Sequence, residues 1–411
     1  MEWSRRVRVA LVLAVPSCFV GLASSGTVTE EQAIRLFLED SPQARRVAAV
    51  VRSVDATSRV EARVANPEVA YQVEDAAGVR DEFLTLAQEL PITGRRGLVR
   101  SSAGAAASAA GLGAERDLQA AGHAVRASFY EVLYRESALD SLRRGAKLLE
   151  SVVEILERRE REGEGSGYDV LRAEQELAEI EIATAEAGVA LLVARSRFGS
   201  LFEPASRMES AMLEGDLRPT DAIPEPEQAV QRALSQRADL RSLAVAAQGL
   251  DLERRASRRR RFPEPTLSAG WKRSEALGVG DTGFVAGLTV PLPIFDRAGV
   301  LVARATADRQ RTELEFEILE REIRAEVLVA LARERSARQV AERHGNDVER
   351  RAGELRTIAQ LAYDEGETGI LKLLDAHRTS LAMELRALAV RHEAKSAGID
   401  RDLAVGDEVK P

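Results

Sequence analysis

The side chains of this 411-residue chain that could ligate a metal or attack a substrate are few and scattered. His123, His344, His377 and His392 have no partner at metal-ligand spacing. Cys18 is the single cysteine, which rules out an intramolecular disulfide. Met208 and Met212 could share one helix face, but two thioethers are a slender basis for a copper site. No Gly-rich phosphate loop and no nucleophile motif occurs. The chain is therefore expected to be neither an enzyme nor the holder of a cofactor or metal. What remains are the carboxylates Asp364, Glu365 and Glu367, set among Gly366 and Gly369, and an earlier glycine group, Gly163–Gly167. Carboxylates gathered at a constriction bind or select cations, so their use depends on what the surrounding elements build.

Those elements centre on Gly283–Leu292. Phe284, Ala286, Leu288, Val290 and Leu292 alternate with Gly283, Val285, Gly287 and Thr289, the period of a strand with one apolar face. About 10 residues is also the length of a tilted membrane-spanning strand. A helical pattern without proline follows from Asp296 to Tyr363, and at 1.5 Å per residue it reaches about 100 Å. A membrane-length strand feeding so long a helix is foreign to compact globular domains.

The unit occurs twice. Glu31-Gln32-Ala33 maps onto Glu227-Gln228-Ala229 at a shift of 196, Leu90-Pro91-Ile92 onto Leu292-Pro293-Ile294 at 202, and Gly163-Glu164 onto Gly366-Glu367 at 203. Matches in constant order with a slowly drifting offset indicate an old duplication. In the first copy, Thr29 and Gln32 form a capping-box pattern, the helix breaks at Ser41-Pro42, and Asn66-Pro67 stops the next. Strands are expected at about 67–75 and 82–91, with a loop at Asp75–Asp81 around Gly78. Ser101–Gly113, rich in Ala, Ser and Gly, lies opposite the second long helix and is expected to be helix packed wall to wall. The return helix carries a heptad seam, Leu177, Ile180, Thr184, Ala187, Leu191, Ala194, Phe198 and Leu201. The second copy is expected as a helix over 227–260, strands at about 265–273 and 283–292, a long helix over 296–362 and a return helix over 370–403.

Composition agrees with long helices and narrow seams. Aromatic residues make up 4% of the chain and charged residues 30%, too lean a supply of large apolar groups for big compact cores. A formal charge of -8 gives no support to a nucleic-acid partner. Arg5, Arg6 and Arg8, the apolar run Val9–Val15 and the small residues Ala23-Ser24-Ser25 read as a cleaved export signal over 1–25. Cys18 sits in a poor lipidation context, with Pro16 two residues before it. No later stretch is apolar enough to be a spanning helix.

Paired strands, long helix, glycine turn and return helix, repeated over almost the whole chain, resemble the TolC-like outer-membrane efflux protein family. Leu292-Pro293-Ile294-Phe295-Asp296-Arg297-Ala298-Gly299 and Thr93-Gly94-Arg95-Arg96-Gly97 are similar to the strand-to-helix junctions of its heavy-metal cation (RND-type) subgroup. Tyr363-Asp364-Glu365-Gly366-Glu367 with Leu373-Leu374-Asp375-Ala376 resembles the family's second hairpin turn. The resemblance implies a mostly α fold with a transmembrane β part. Two repeats, 26–202 and 227–403, would be joined by a connector over 203–226 and followed by a tail over 404–411. Three chains would pool four strands each into a 12-stranded barrel, continued by a periplasmic helical tube. It further implies a homotrimer in the outer membrane of a Gram-negative-type envelope, in contact with its lipid, working with a periplasmic adaptor and an inner-membrane pump. The hairpin tips, 163–168 and 363–369 with Gly163, Gly167, Gly366 and Gly369, would dock those partners. Asp364, Glu365 and Glu367 would repeat threefold as an acidic pore entrance. Arg95, Arg96, Arg297 and the run Arg258–Arg261 would lie at the membrane's periplasmic edge, and Tyr71 and Trp271 in an interfacial aromatic belt. The exit duct of a type I protein secretion system and an exported coiled-coil scaffold without a pore remain alternatives.

Overall fold

The computed structural model describes residues 27–61, 63–218, 222–276 and 279–409. The expected export signal and Cys18 lie outside the described residues. Among the described residues two long helical hairpins dominate. The first is α3 (Arg95–Arg161) with α4 (Gly167–Gly199), and the second is α8 (Gly299–Asp364) with α9 (Ile370–Val405). Each is preceded by two shorter helices, α1 (Glu30–Asp40) and α2 (Pro42–Glu61) in the first repeat, α6 (Pro226–Gln236) and α7 (Ala238–Arg259) in the second.

The capping box is present: the Gln32 amide donates to the Thr29 hydroxyl, and the Thr29 amide donates to the Gln32 side chain at 3.1 Å. The helix expected over 227–260 is two helices, broken at Arg237, which adopts φ -59 and ψ 123. That break sits 196 residues after Ser41, so both repeats bend at the equivalent position. The first bend carries a legible Ser-Pro signal. The second is held by tertiary contacts, the Arg237 guanidinium donating to Asp239, Glu326 and the Ala404 carbonyl.

Four strands form one antiparallel sheet in the order β2 (Glu68–Ala76), β3 (Val79–Glu89), β5 (Thr266–Ala276) and β6 (Val279–Thr289). The segment expected as a loop at Asp75–Asp81 is mostly strand. Asp75 pairs with Arg80 and Ala76 with Val79, leaving a two-residue turn at Ala77 (φ 53) and Gly78 (φ 79). Positive φ at both turn residues is the backbone that matches strand twist in a tight hairpin. Likewise β6 begins at Val279, not Gly283, because Ala276 pairs with Val279. Polar and charged residues at these ends hid the strands from hydrophobic periodicity.

The expected connector contains a short helix, α5 (Ala205–Glu209), and β4 (Met212–Glu214), which pairs in parallel with β1 (Thr27–Thr29). Met208 is buried while Met212 points to solvent, so the two do not share a face.

The cores repeat as the chain does. In the first, Ala33, Phe37, Val125 and Phe129 are buried with Phe198 and Phe202. In the second, Ala229, Ala233, Val327 and Leu331 occupy the matching positions at shifts of 196 and 202. Edge-on rings fill the first core, with Phe198 and Phe202 centroids 5.1 Å apart. Ser101–Gly113 is helical within α3, and its small residues let α7 come close: Ser102 donates to the Gly249 carbonyl at 2.9 Å, and Ser242 to that of Ala109 at 2.8 Å. A Cβ on Gly249 would stand 3.0 Å from Ala105.

Candidate functional site

The sheet register sorts its side chains into rows. One face carries Val69, Leu86, Ala269 and Ala286 in one row and Tyr71, Leu84, Trp271 and Phe284 in the next. Tyr71, Trp271 and Phe284 are 63%, 69% and 72% exposed, so this apolar face packs against nothing in the chain. The following row on that face, Val73, Glu82, Arg273 and Thr282, turns polar, so the aromatic row lies at the edge of the apolar band. The register thus brings Tyr71 and Trp271 into a single belt and adds Phe284. The opposite face is polar, with Gln72, Phe83, Lys272 and Gly283 beside Glu74, Asp81, Ser274 and Asp281. Lys272 is paired with Asp81 at 2.6 Å and lies over the Phe83 ring. Among the described residues both outer edges, on β2 and β6, have no strand partner.

Below the sheet the junction residues are tied together. Glu264 accepts from the Thr93 hydroxyl at 2.5 Å and from Arg95 at 3.0 Å. Arg96 donates to the Arg63 carbonyl and pairs with Glu89 at 3.5 Å. Arg259 donates to the Thr93 carbonyl, and Arg261 stacks on Phe262. Arg95 and Arg96 are therefore half-buried in ion pairs, while Arg258 and Arg297 remain exposed. The two junction arginines serve first to clamp strand to helix.

At the far end the two tips share one backbone design. In the first, the amides of Glu162, Gly163 and Glu164 donate to the carbonyls of Arg158, Glu160 and Arg159 at 3.1, 3.0 and 2.8 Å. In the second, the amides of Glu365, Gly366 and Glu367 donate to those of Leu361, Tyr363 and Ala362 at 3.0, 3.0 and 2.9 Å, every partner 203 residues on. This is a helix stop with a left-handed residue, and both Gly163 and Gly366 have φ +77. Gly167 and Gly369 have a different part. Gly167 opens α4 and Gly369 caps α9 with φ -82, a conformation open to any residue. The tips touch through Arg159, whose guanidinium lies 5.5 Å from the Tyr363 ring centroid. Asp364, Glu365 and Glu367 are exposed around the second tip, with Asp364 accepting from Gln360 at 3.0 Å. Among the described residues no group of three His, Cys, Asp or Glu side chains could hold a metal ion.

Sequence reasoning missed the charged cluster at the start of α1. Arg126 joins Glu30 at 2.5 Å and Asp402 at 2.8 Å, and Tyr130 donates to the same Glu30. Burial pushes the Glu30 carboxyl up, but the Tyr130 hydroxyl and Arg126 outweigh it and hold it below the usual range. No linear motif marks these residues, because the partners lie about a hundred or more positions apart.

No described helix is long and apolar enough to cross a membrane. Residues 229–403 match the family described as outer membrane efflux protein. The chain is 27% identical over 395 residues to the cobalt-zinc-cadmium resistance protein CzcC of Cupriavidus metallidurans, covering 93% of this chain and 91% of that one. In fold it is similar to the outer membrane protein VceC of Vibrio cholerae (TM-score 0.74, 15% identity, 92% and 96% of the two chains). The outer membrane channel MtrE of Neisseria gonorrhoeae is comparably close (TM-score 0.73, 17% identity, 93% and 89%). An apolar sheet face, paired helical hairpins of channel length and these likenesses agree. Over residues 229–403 the chain matches the outer membrane efflux protein family, and these likenesses describe a non-enzymatic outer-membrane channel that extends into the periplasm.

Proposed function

We propose that three copies of the chain assemble into a passive conduit that carries heavy-metal cations out of the cell. The sheet carries this reading: one apolar face is exposed, and both edges are unpaired among the described residues. In lipid an unpaired edge leaves backbone donors and acceptors unsatisfied at several kcal/mol each, so a four-stranded sheet must close with others. Three chains would supply twelve strands, with the polar face turned to the lumen.

The helices support the same assembly. Leu171, Ile182, Val189 and Leu192 stand exposed along α4. On the other flank, Val340, Val348, Ala382, Met383 and Val390 line an apolar groove of about 730 Å³ between α8 and α9. Leu171 stands beside the tip, while the rest of the stripe and the groove lie roughly 20 to 40 Å back from the tips at 1.5 Å per residue. A ridge on one flank and a groove on the other is the head-to-tail arrangement that closes into a ring.

Cargo and partners rest on different observations. The metal reading is supported by the name of the relative CzcC and by Asp364, Glu365 and Glu367 around the second tip, where threefold repetition would make an acidic entrance. The tips, with Gly163, Gly167, Gly366 and Gly369, are the ends that would meet a periplasmic adaptor and an inner-membrane pump. Tyr71 and Trp271 would sit at one lipid interface and Arg297 at the other.

Purified protein in planar bilayers tests the reading. We expect discrete conductances selective for cations, and reduced selectivity when Asp364→Asn, Glu365→Gln and Glu367→Gln are combined. Unchanged selectivity in that triple variant refutes the acidic entrance. A deletion strain should lose resistance to cobalt, zinc or cadmium salts before it loses resistance to organic drugs.

A further inference from the structure

Where the two hairpins meet near their tips, the seam is apolar apart from one short stretch. Leu149, Val152, Val153 and Leu156 of α3, Val170 and Ala173 of α4, and Ile370, Leu373 and Leu374 of α9 form its core. One turn further from the tips, His377 of α9 is 7% exposed, and its Nε2 has no hydrogen-bond partner. It borders a small, partly open void of about 30 Å³, room for one water, shared by all four hairpin helices. Beside His377 its polar lining is Arg144 and Ser141 from α3, Arg356 from α8, and Ser380 and Glu384 from α9, with leucines and Ile180 of α4 completing the wall. Glu384 is already engaged, accepting from Ser141 at 2.8 Å and from Arg144 at 2.7 Å. A proton on His377 would therefore enter a seam rimmed by the exposed Arg144 and Arg356, with the carboxylate on the void, Glu384, already engaged.

We propose that His377 is a proton-sensitive latch: neutral, it lets the two hairpins close against each other, and protonated, it drives them apart at the tips. The inference rests on the channel reading above and adds regulation to it. The position is peculiar to the second repeat, since the residue 203 earlier is Glu174, which is exposed. Burial holds the His377 imidazole below its ordinary value, and Arg356 adds to the effect. The sign follows. A base whose value is depressed in the closed seam leaves the closed form intact above about pH 6.5, the ordinary histidine value. As pH falls below that, only the opened seam takes up the proton. The open-to-closed ratio then rises by up to about tenfold per pH unit for each chain, until the closed-state value is reached. His123 and His392 lie in other clusters, against the C-terminal segment and against Glu131 respectively, and outside this seam.

The experiment follows opening of the intact protein between pH 7.5 and 5 in two ways. One is open probability in planar bilayers. The other is the rate at which a cysteine placed by Leu149→Cys, in the seam, is modified by a small thiol reagent, relative to one placed by Ser151→Cys on the exposed face. Both readouts should rise on acidification in the wild type and stay flat in H377Q, which keeps a polar side chain and loses the titration. R356Q, which relieves part of the closed-state depression, should leave the onset in place and reduce the size of the rise. A wild type without the rise, or an H377Q protein that keeps it, overturns the latch. Absence of any conductance would count against the channel reading alone, because the labelling ratio still reports on the seam.

Discussion

Glu334 shows how far a single position can depart from its duplicate. It is wholly buried, pairs with Arg338 at 2.5 Å and stands 3.5 Å from Arg401. The equivalent residues of the first repeat are Val132 and Phe198, both buried in the aromatic core. A buried ion pair thus replaces an apolar contact at the same place in the fold. Burial raises the Glu334 carboxyl despite the two arginines. Removing one partner strands the other charge, so Glu334→Val alone should cost about 3–5 kcal/mol in thermal or denaturant unfolding. The double variant E334V/R401F, which copies the first repeat, should recover most of that loss. Acid should act oppositely on Glu30, which is depressed. Its contribution is present above about pH 4.5 and lost as pH falls through the lower folded value, and E30Q should remove about 1–3 kcal/mol at pH 7 while flattening the acid side of the stability curve.

Among the elements, the tips are set by backbone geometry more than by side chains. Gly366 has open space around it but φ +77, so any Cβ is strained there while no neighbour is displaced. Gly366→Val should cost about 1–2 kcal/mol locally. Assembly should persist, since the sheet and the seam are remote from this residue, and export should fall. Normal export together with normal adaptor capture by the variant would show that the second tip does not dock. Gly369→Ala is the control. Its backbone suits alanine and it should export normally.

At the scale of the whole molecule the hairpins must recognise one another across chains. Ile182 stands exposed in the middle of the α4 stripe, and in a ring it would meet the groove of a neighbour. Burying a carboxylate there without a partner costs several kcal/mol, repeated three times round the ring. Ile182→Glu should therefore convert heat-resistant trimers on a denaturing gel into monomers. An unaffected trimer would mean that α4 faces water, and the ring would have to close through other surfaces.

The sequence by itself determined the duplication, the long helices, the heptad seam from Leu177 to Leu201 and the two glycine stops, because each is written in residues near one another or at one constant offset. Apolar alternation likewise located the middle of each membrane-length strand. The strand ends were not legible, since there polar and charged residues such as Asp75 opposite Arg80 and Glu82 opposite Arg273 replace the apolar alternation and leave no periodic signal. Nor were the bend at Arg237, the Glu334–Arg401 pair or the His377 void. Each depends on side chains brought together from separate helices, and burial, which decides the charge and partner of such groups, is a property of packing that no local spacing encodes.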